Sequence, residues 1–359
     1  MANRTISENI NQAISDFKGI KQAIIDKGVE IPQGTPTSEY GAKIGEFKVS
    51  KGTLDVSGIT NFNNFLSRNR VPAEYLDELN TRSGTDFSSM FYECSNLTIS
   101  PKLDTSNGTD FSNMFNRCTN LTTVQHIDTS NGTNFRYMFS NCTNLTTVPQ
   151  IDTSNGTNFE RMFENCTNLN TVPKIKTGIG ANFSSIFKGC DKLTTIPQID
   201  TSNVTNFYGM FYECSNLTTI PQIDTSNGTN FSSMFYDCEE LTSVELDTSK
   251  GTIFGYMFYR CYDLSTVKLV SFVAQANMFE SCSKLTNLTV TGTITVNATN
   301  ALKLNYSKKL TVESLLNVLN ALKDNTGGTT YNIQLGSTNL AKLTDEQKAI
   351  ATNKNYTLS

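Results

Sequence analysis

The chain of 359 residues is short of charge: only 17% of it is Asp, Glu, Lys or Arg. Hydrophobic content is also low for a compact enzyme, at 37%, and Ser, Thr and Asn fill the difference. A net charge of -4 over this length leaves no basic footprint, which argues against nucleic acid as a partner. No apolar run approaches the roughly 18 residues of a membrane span. There is one histidine, His126, in a place where neighbouring segments carry Gln150, Gln198 and Gln222. Acid–base catalysis therefore has little to draw on. Neither a Gly-rich phosphate loop nor a nucleophile elbow occurs, and no Cys-x2-4-Cys spacing suits zinc. The expectation is a protein that is not an enzyme and needs no metal or cofactor. The opening residues lack the apolar core of a signal peptide, so synthesis is expected in the cytoplasm, with release through a particle or by lysis.

What the chain does have is repetition. Its nine cysteines fall at Cys94, Cys118, Cys142, Cys166, Cys190, Cys214, Cys238, Cys261 and Cys282, spaced by 24 residues six times, then 23, then 21. An odd number at a fixed period points to a stacked ladder of buried thiols rather than to disulfides. Asp-Thr-Ser, which resembles the catalytic turn of an aspartic protease and half a calcium loop, begins at Asp104, Asp128, Asp152, Asp200, Asp224 and Asp247. A catalytic dyad needs two carboxylates and calcium needs six to eight oxygens about one ion, so the motif reads as a structural turn. In each unit Leu145, Val148 and Ile151, or their equivalents, suit a short strand ended by Pro149, Pro173, Pro197 or Pro221. Phe159, Met162, Phe163 and Cys166 lie at i, i+3, i+4 and i+7, which predicts two turns of helix with Thr or Asn as its N-cap. Such units bury their apolar faces only by stacking on one another.

The pattern Asp-Thr-Ser-Asn-x-Thr-x-Phe-x-x-Met-Phe-x-x-Cys-x-x-Leu resembles the BspA-like class of leucine-rich repeats over roughly residues 76–290. The resemblance implies an α/β right-handed leucine-rich-repeat solenoid and a binding role, as in surface adhesins, lipoproteins and phage tail proteins. Two units depart from the pattern: Lys176-Thr177-Gly178-Ile179-Gly180 replaces one loop, and Gln275-Ala276-Asn277-Met278-Phe279 lacks the first Phe. The expected organisation is an N-terminal helical module over 1–48, a connector and cap over 49–75, repeats over 76–300, and a C-terminal αβ cap over 301–359. Within that cap, the sequence predicts a helix over 310–322, a strand over 331–335 and a second helix opened by the capping box at Thr344.

At the N-terminus, Ile10, Ala13, Phe17, Ile20 and Ile24 form a heptad seam. Two readings stay open: a coiled coil, giving a homo-oligomer such as a trimer, or a helix packed on its own chain. Residues 20–44 resemble N-terminal regions of tail proteins from phages of Gram-positive bacteria. That resemblance implies attachment to a tail or baseplate and a place in a phage or phage-tail-like particle. The repeats would then meet a bacterial surface glycan or protein; a spacer role and a bacterial adhesin are the alternatives. The candidate contact surface is aromatic. The position after each Met-Phe pair reads Tyr212, Tyr236 and Tyr259 in consecutive units, with Tyr208, Tyr256, Arg260 and Tyr262 nearby. Stacked tyrosines suit protein contact or a sugar face, but they could equally be ordinary packing or lie against the cap. The competing surface is the strand face, at Thr218, Thr219 and Gln222.

Overall fold

A computed structural model describes residues 58–68 and 80–359. The N-terminal candidates Ile10, Ala13, Phe17, Ile20 and Ile24 lie outside the described residues. In the repeats, each unit hydrogen-bonds in parallel to the unit about 24 residues further on. Its first ladder runs through single residues, Asn61 to Asp86, Asp110, Asn134, Asn158 and Asn182, and resumes from Asn206 to Asn230 and Ile253. Residues 58–68 already form a rung, with Phe62, Phe65 and Leu66 in the slots that later units give to Phe, Met and Phe.

The helix expected at Phe159, Met162, Phe163 and Cys166 is not formed. Each such segment is a train of tight turns. In one unit the N–H groups of Met138, Ser140 and Cys142 donate back three residues, to Phe135, Tyr137 and Phe139. Those of Phe135, Tyr137, Phe139 and Asn141 instead donate across to Asn158, Glu160, Met162 and Glu164 of the next unit, at 2.7–3.0 Å. The third residue of alternate turns takes a positive φ, 56° at Tyr137 and 60° at Asn141, which is foreign to a helix. Residues three and four apart still point inward, so the apolar spacing is the same for either backbone.

Strands are equally selective. Among the described residues they are β1 (Ala181–Asn182), β2 (Val204–Asn206), β3 (Ser243–Leu246), β4 (Thr266–Leu269), β5 (Phe272–Val273), β6 (Asn287–Val290), β7 (Ile294–Thr295), β8 (Tyr331–Ile333) and β9 (Tyr356–Leu358). Only β3, β4 and β6 form a sheet of three, parallel throughout. Their units carry no proline. Where the earlier units read Ile220-Pro221-Gln222-Ile223, this stretch reads Val244-Glu245-Leu246, one residue shorter. Proline has no N–H to give a ladder, so its loss lets the pairing become regular and shortens the period from 24 to 23.

The interior is two columns of phenylalanine flanked by Met, Leu and Cys. Phe111 and Phe135 stack at 5.8 Å, and Phe115 and Phe139 at 5.7 Å. Glycine is required beside the first column: a Cβ on Gly132 would stand 2.5 Å from the Phe135 ring tip. At the irregular loop the column breaks. In the following unit Val204, paired with Ala181, takes the place of that glycine, and Phe183 turns edge-on to Phe159, at 75°. In the last unit Phe272 packs edge-on to Phe254 in place of the missing ring. The Gln275 side-chain oxygen there accepts the N–H groups of Phe254 and Gly255.

All nine cysteines are buried thiols outside any disulfide. The Cys142 thiol donates to the Phe115 carbonyl of the preceding unit at 3.0 Å, an oxygen that also accepts the Cys118 N–H. A small side chain with one weak donor suits this position. Burial drives the thiols up, Cys166 and Cys214 to about 12.

The C-terminal module closes the stack. Helix α1 (Val312–Ala321) starts at Thr311, whose side chain accepts the Ser314 N–H. Helices α2 (Ser337–Leu340) and α3 (Asp345–Thr352) follow, and α3 opens with the full capping box at Thr344 and Gln347. Against β6, side chains of α1 stand where a further unit's carbonyls would be. Ser314 Oγ accepts the Leu288 N–H at 3.0 Å, and Asn317 Oδ1 accepts that of Val290 at 2.7 Å. Three carbonyls at the end of α1, from Leu319, Asn320 and Leu322, accept the Lys354 ammonium.

Two outcomes follow. A thiol with a raised folded pKa contributes stability that is intact below its unfolded pKa near 9 and lost as pH rises towards the folded value. Each thiol then costs about 1.4 kcal/mol per pH unit above 9. Under reducing conditions the urea midpoint should fall steeply between pH 8.5 and 10.5, and a Cys142→Ala, Cys166→Ala variant should show a shallower fall. Separately, Asn317→Ala leaves a buried N–H unsatisfied at a cost of about 1–3 kcal/mol, and amide exchange at Val290 should accelerate.

Candidate functional site

Each residue of the Asp-Thr-Ser-Asn-Gly-Thr loop has structural work. Asp128 Oδ1 accepts the N–H and the hydroxyl of Ser130, at 3.0 and 2.7 Å. These bonds, the backbone one foremost, hold its carboxyl below the usual range. Thr129 donates to the Asp152 carbonyl of the next unit, Asn131 to the Ser106 carbonyl of the one before, and Thr133 to that of Thr109. The Asn134 side chain accepts the Arg136 N–H and opens the turn train. It caps a turn, where a helix N-cap was expected. The loop is a clamp in both directions along the stack.

The tyrosines lie on the turn side, and the structure brings most of them together. Tyr212 and Tyr236 stack at 4.4 Å with 3° between planes, and Tyr236 and Tyr259 at 4.8 Å with 19°. Tyr256 meets Tyr259 edge-on at 5.7 Å. Lys188 stands over the outer face of Tyr212 at 4.9 Å. Arg260 donates to the Tyr262 hydroxyl at 2.7 Å and pairs with Asp237 at 3.1 Å. Tyr208, 40% exposed, makes no ring contact with the stack; Tyr256 is 42% exposed. The rings of the central three cover one another, so they present edges and hydroxyls outward. Among these residues Tyr208 and Tyr256 are the most exposed and leave the most ring face for a sugar. Burial first, then Glu213, pushes the Tyr212 hydroxyl up to about 12.

A family model described as "Mycoplasma protein of unknown function, DUF285" matches residues 38–145, 96–177 and 181–292. Together these matches span well over half of the chain. The chain belongs to this family. Solved structures similar to this DUF285 protein include a leucine-rich repeat protein from Bacteroides ovatus, at 16% identity, covering 76% of this chain and 86% of that one, with a TM-score of 0.34. A leucine-rich cell surface protein from Faecalibacterium prausnitzii gives 19%, 72%, 77% and 0.34 in the same order. The Toll–Spatzle complex of Drosophila gives 12%, 75%, 35% and 0.34. No curated protein matches.

On the strand side of the DUF285 repeats, hydroxyls and amides run as ladders. Thr218 donates to the Thr194 carbonyl and Thr242 to that of Thr218, while Gln198 donates to the Gln222 carbonyl. A groove lies where the proline-bearing units give way to β3 and β4. It is lined by Gln222, Asp224, Glu245, Asp247 and Lys268, with Lys268 and Glu245 paired at 2.6 Å. His126 is exposed in its Gln slot. Sequence reasoning missed Glu213 and Asp237 beside the tyrosines. Their slot, the residue before each cysteine, was readable from the repeat register.

The stack itself is testable. Tyr236→Ala removes three ring contacts, to Tyr212, Tyr256 and Tyr259, and should cost about 1–3 kcal/mol. It should also bring the Tyr212 hydroxyl back towards 10, seen as an earlier rise in absorbance at 295 nm during alkaline titration.

Proposed function

We propose that this chain is a binding protein and not an enzyme: a right-handed leucine-rich-repeat solenoid of BspA-like kind that presents its tyrosine ridge to a bacterial surface glycan or protein. The observation that carries the reading is the Tyr212–Tyr236–Tyr259 stack with Tyr256 against it. Three aromatics held ring on ring lose little freedom when a partner arrives, which is what a contact surface requires. The turn motifs, by contrast, are spent on holding units together. The proposed setting is the tail or baseplate of a phage or phage-tail-like particle, joined through residues 1–48. That placement is supported by the resemblance of residues 20–44 to phage tail proteins.

The test is retention of the purified full chain on a panel of Gram-positive cell walls. Replacement of Tyr212, Tyr236 and Tyr259 by Ala should lower retention roughly tenfold or more. A folded triple variant retained as well as the wild type would remove the ridge from binding and favour a spacer role.

A further inference from the structure

The residue before each cysteine falls at the same place on every unit, so the ridge contains its own comparison. In the first units Glu93 holds that place. It receives Arg68 from the unit before at 2.9 Å and Arg117 from the unit after at 3.0 Å. Hydrogen bonding from Tyr92, the largest cause, and from the two guanidinium groups keeps its carboxyl low. Elsewhere on this half, Glu160 is met by Arg136 of the unit before at 3.2 Å and by its own neighbour Arg161 at 4.0 Å.

Glu213 occupies the Glu93 place beside Tyr212. Its neighbours there are Gly189 in the unit before and Asp237 in the unit after: one side chain is missing and the other repels. Glu213 is exposed and has no ion-pair partner among the described residues. The nearby cations are engaged elsewhere. Lys188 pairs with Glu164 at 3.7 Å and lies over Tyr212, and Arg260 reaches Asp237 and Tyr262. Asp237 has a raised carboxyl, from burial first, with Glu239 and Glu213 adding to it against Arg260. Glu280, which follows Tyr259 in the tyrosine column, also has no ion pair among the described residues. The aromatic half of the ridge thus carries unmatched negative charge, whereas the other half neutralises its own.

We propose that the ridge takes a basic polypeptide segment, one of whose arginines reaches Glu213 from the Gly189 side, as Arg68 reaches Glu93. A guanidinium suits this place because it can bind a carboxylate in two-point fashion and lie against an aromatic ring at once. This names the partner class for the tyrosine ridge and rests on reading that ridge as a contact surface.

The probe is a fluorescein-labelled dodecapeptide of alternating Gly and Arg, followed by anisotropy on the full chain at low salt, beside a matched Gly–Glu peptide and a chitosan oligomer. The Gly–Arg peptide should bind saturably and weaken as salt rises, and the Gly–Glu peptide should not bind. Glu213→Gln should weaken binding roughly tenfold, while Glu93→Gln, whose partners are internal, should leave it unchanged. Absence of saturable Gly–Arg binding, equal effects of the two variants, or binding by chitosan alone each overturns the proposal. The cell-wall assay separates the two readings. Retention that depends on the tyrosines without peptide binding removes only the basic partner, and retention indifferent to the tyrosines removes the ridge.

Discussion

The structure depends on parallel hydrogen bonding between units of nearly equal length. Because Phe135, Tyr137, Phe139 and Asn141 all donate to the next unit, alternate backbone positions are tied to their counterparts and the rest are carried in register with them. Side chains must then stack like on like. That one constraint accounts for the phenylalanine columns, the thiol ladder, the threonine ladder and the repeated glycine. It also explains why identical residues recur: whatever fits above a neighbour must fit below the next one.

The same constraint makes the surface cumulative. A residue that appears once is a point on the ridge; a residue that appears in three consecutive units becomes a continuous feature. Tyr212, Tyr236 and Tyr259 form a single aromatic slab for this reason, and Lys188 and Glu280 close its two ends. Where the column instead alternates charge, as at Glu164 and Lys188, neighbouring units neutralise each other. Glu164 is buried there and Lys188 half-buried, so the pair sits within the surface rather than standing out from it.

Much of this was legible in the sequence. Register and buried positions follow from the cysteine spacing, and the role of proline in ending pairing follows from its missing N–H. The capping box at Thr344 and the closing helix were readable too. The turn train was not. Its apolar positions coincide with those of a helix, and the positive φ values fall on Ser, Asn, Tyr, Arg and Glu as well as on glycine. For the tyrosines, stacking was readable from the period, but the consumption of their faces needed the 4.4 Å and 4.8 Å separations. Glu213 stayed hidden because its significance lies in what Gly189 fails to supply.

The edge-on turn of Phe183 has a further consequence. In a nearest-neighbour array, cooperativity travels only as far as the interfaces are strong. The first phenylalanine column is interrupted at Phe159 and Phe183, and the adjoining loop leaves Ile179 89% exposed. The array therefore has a seam near its middle, with an arginine-rich block on one side and the tyrosine block with its helical closure on the other. The second column runs on unbroken through Phe163, Phe187 and Phe211, so across the seam the two blocks are joined by one stacked column where elsewhere there are two.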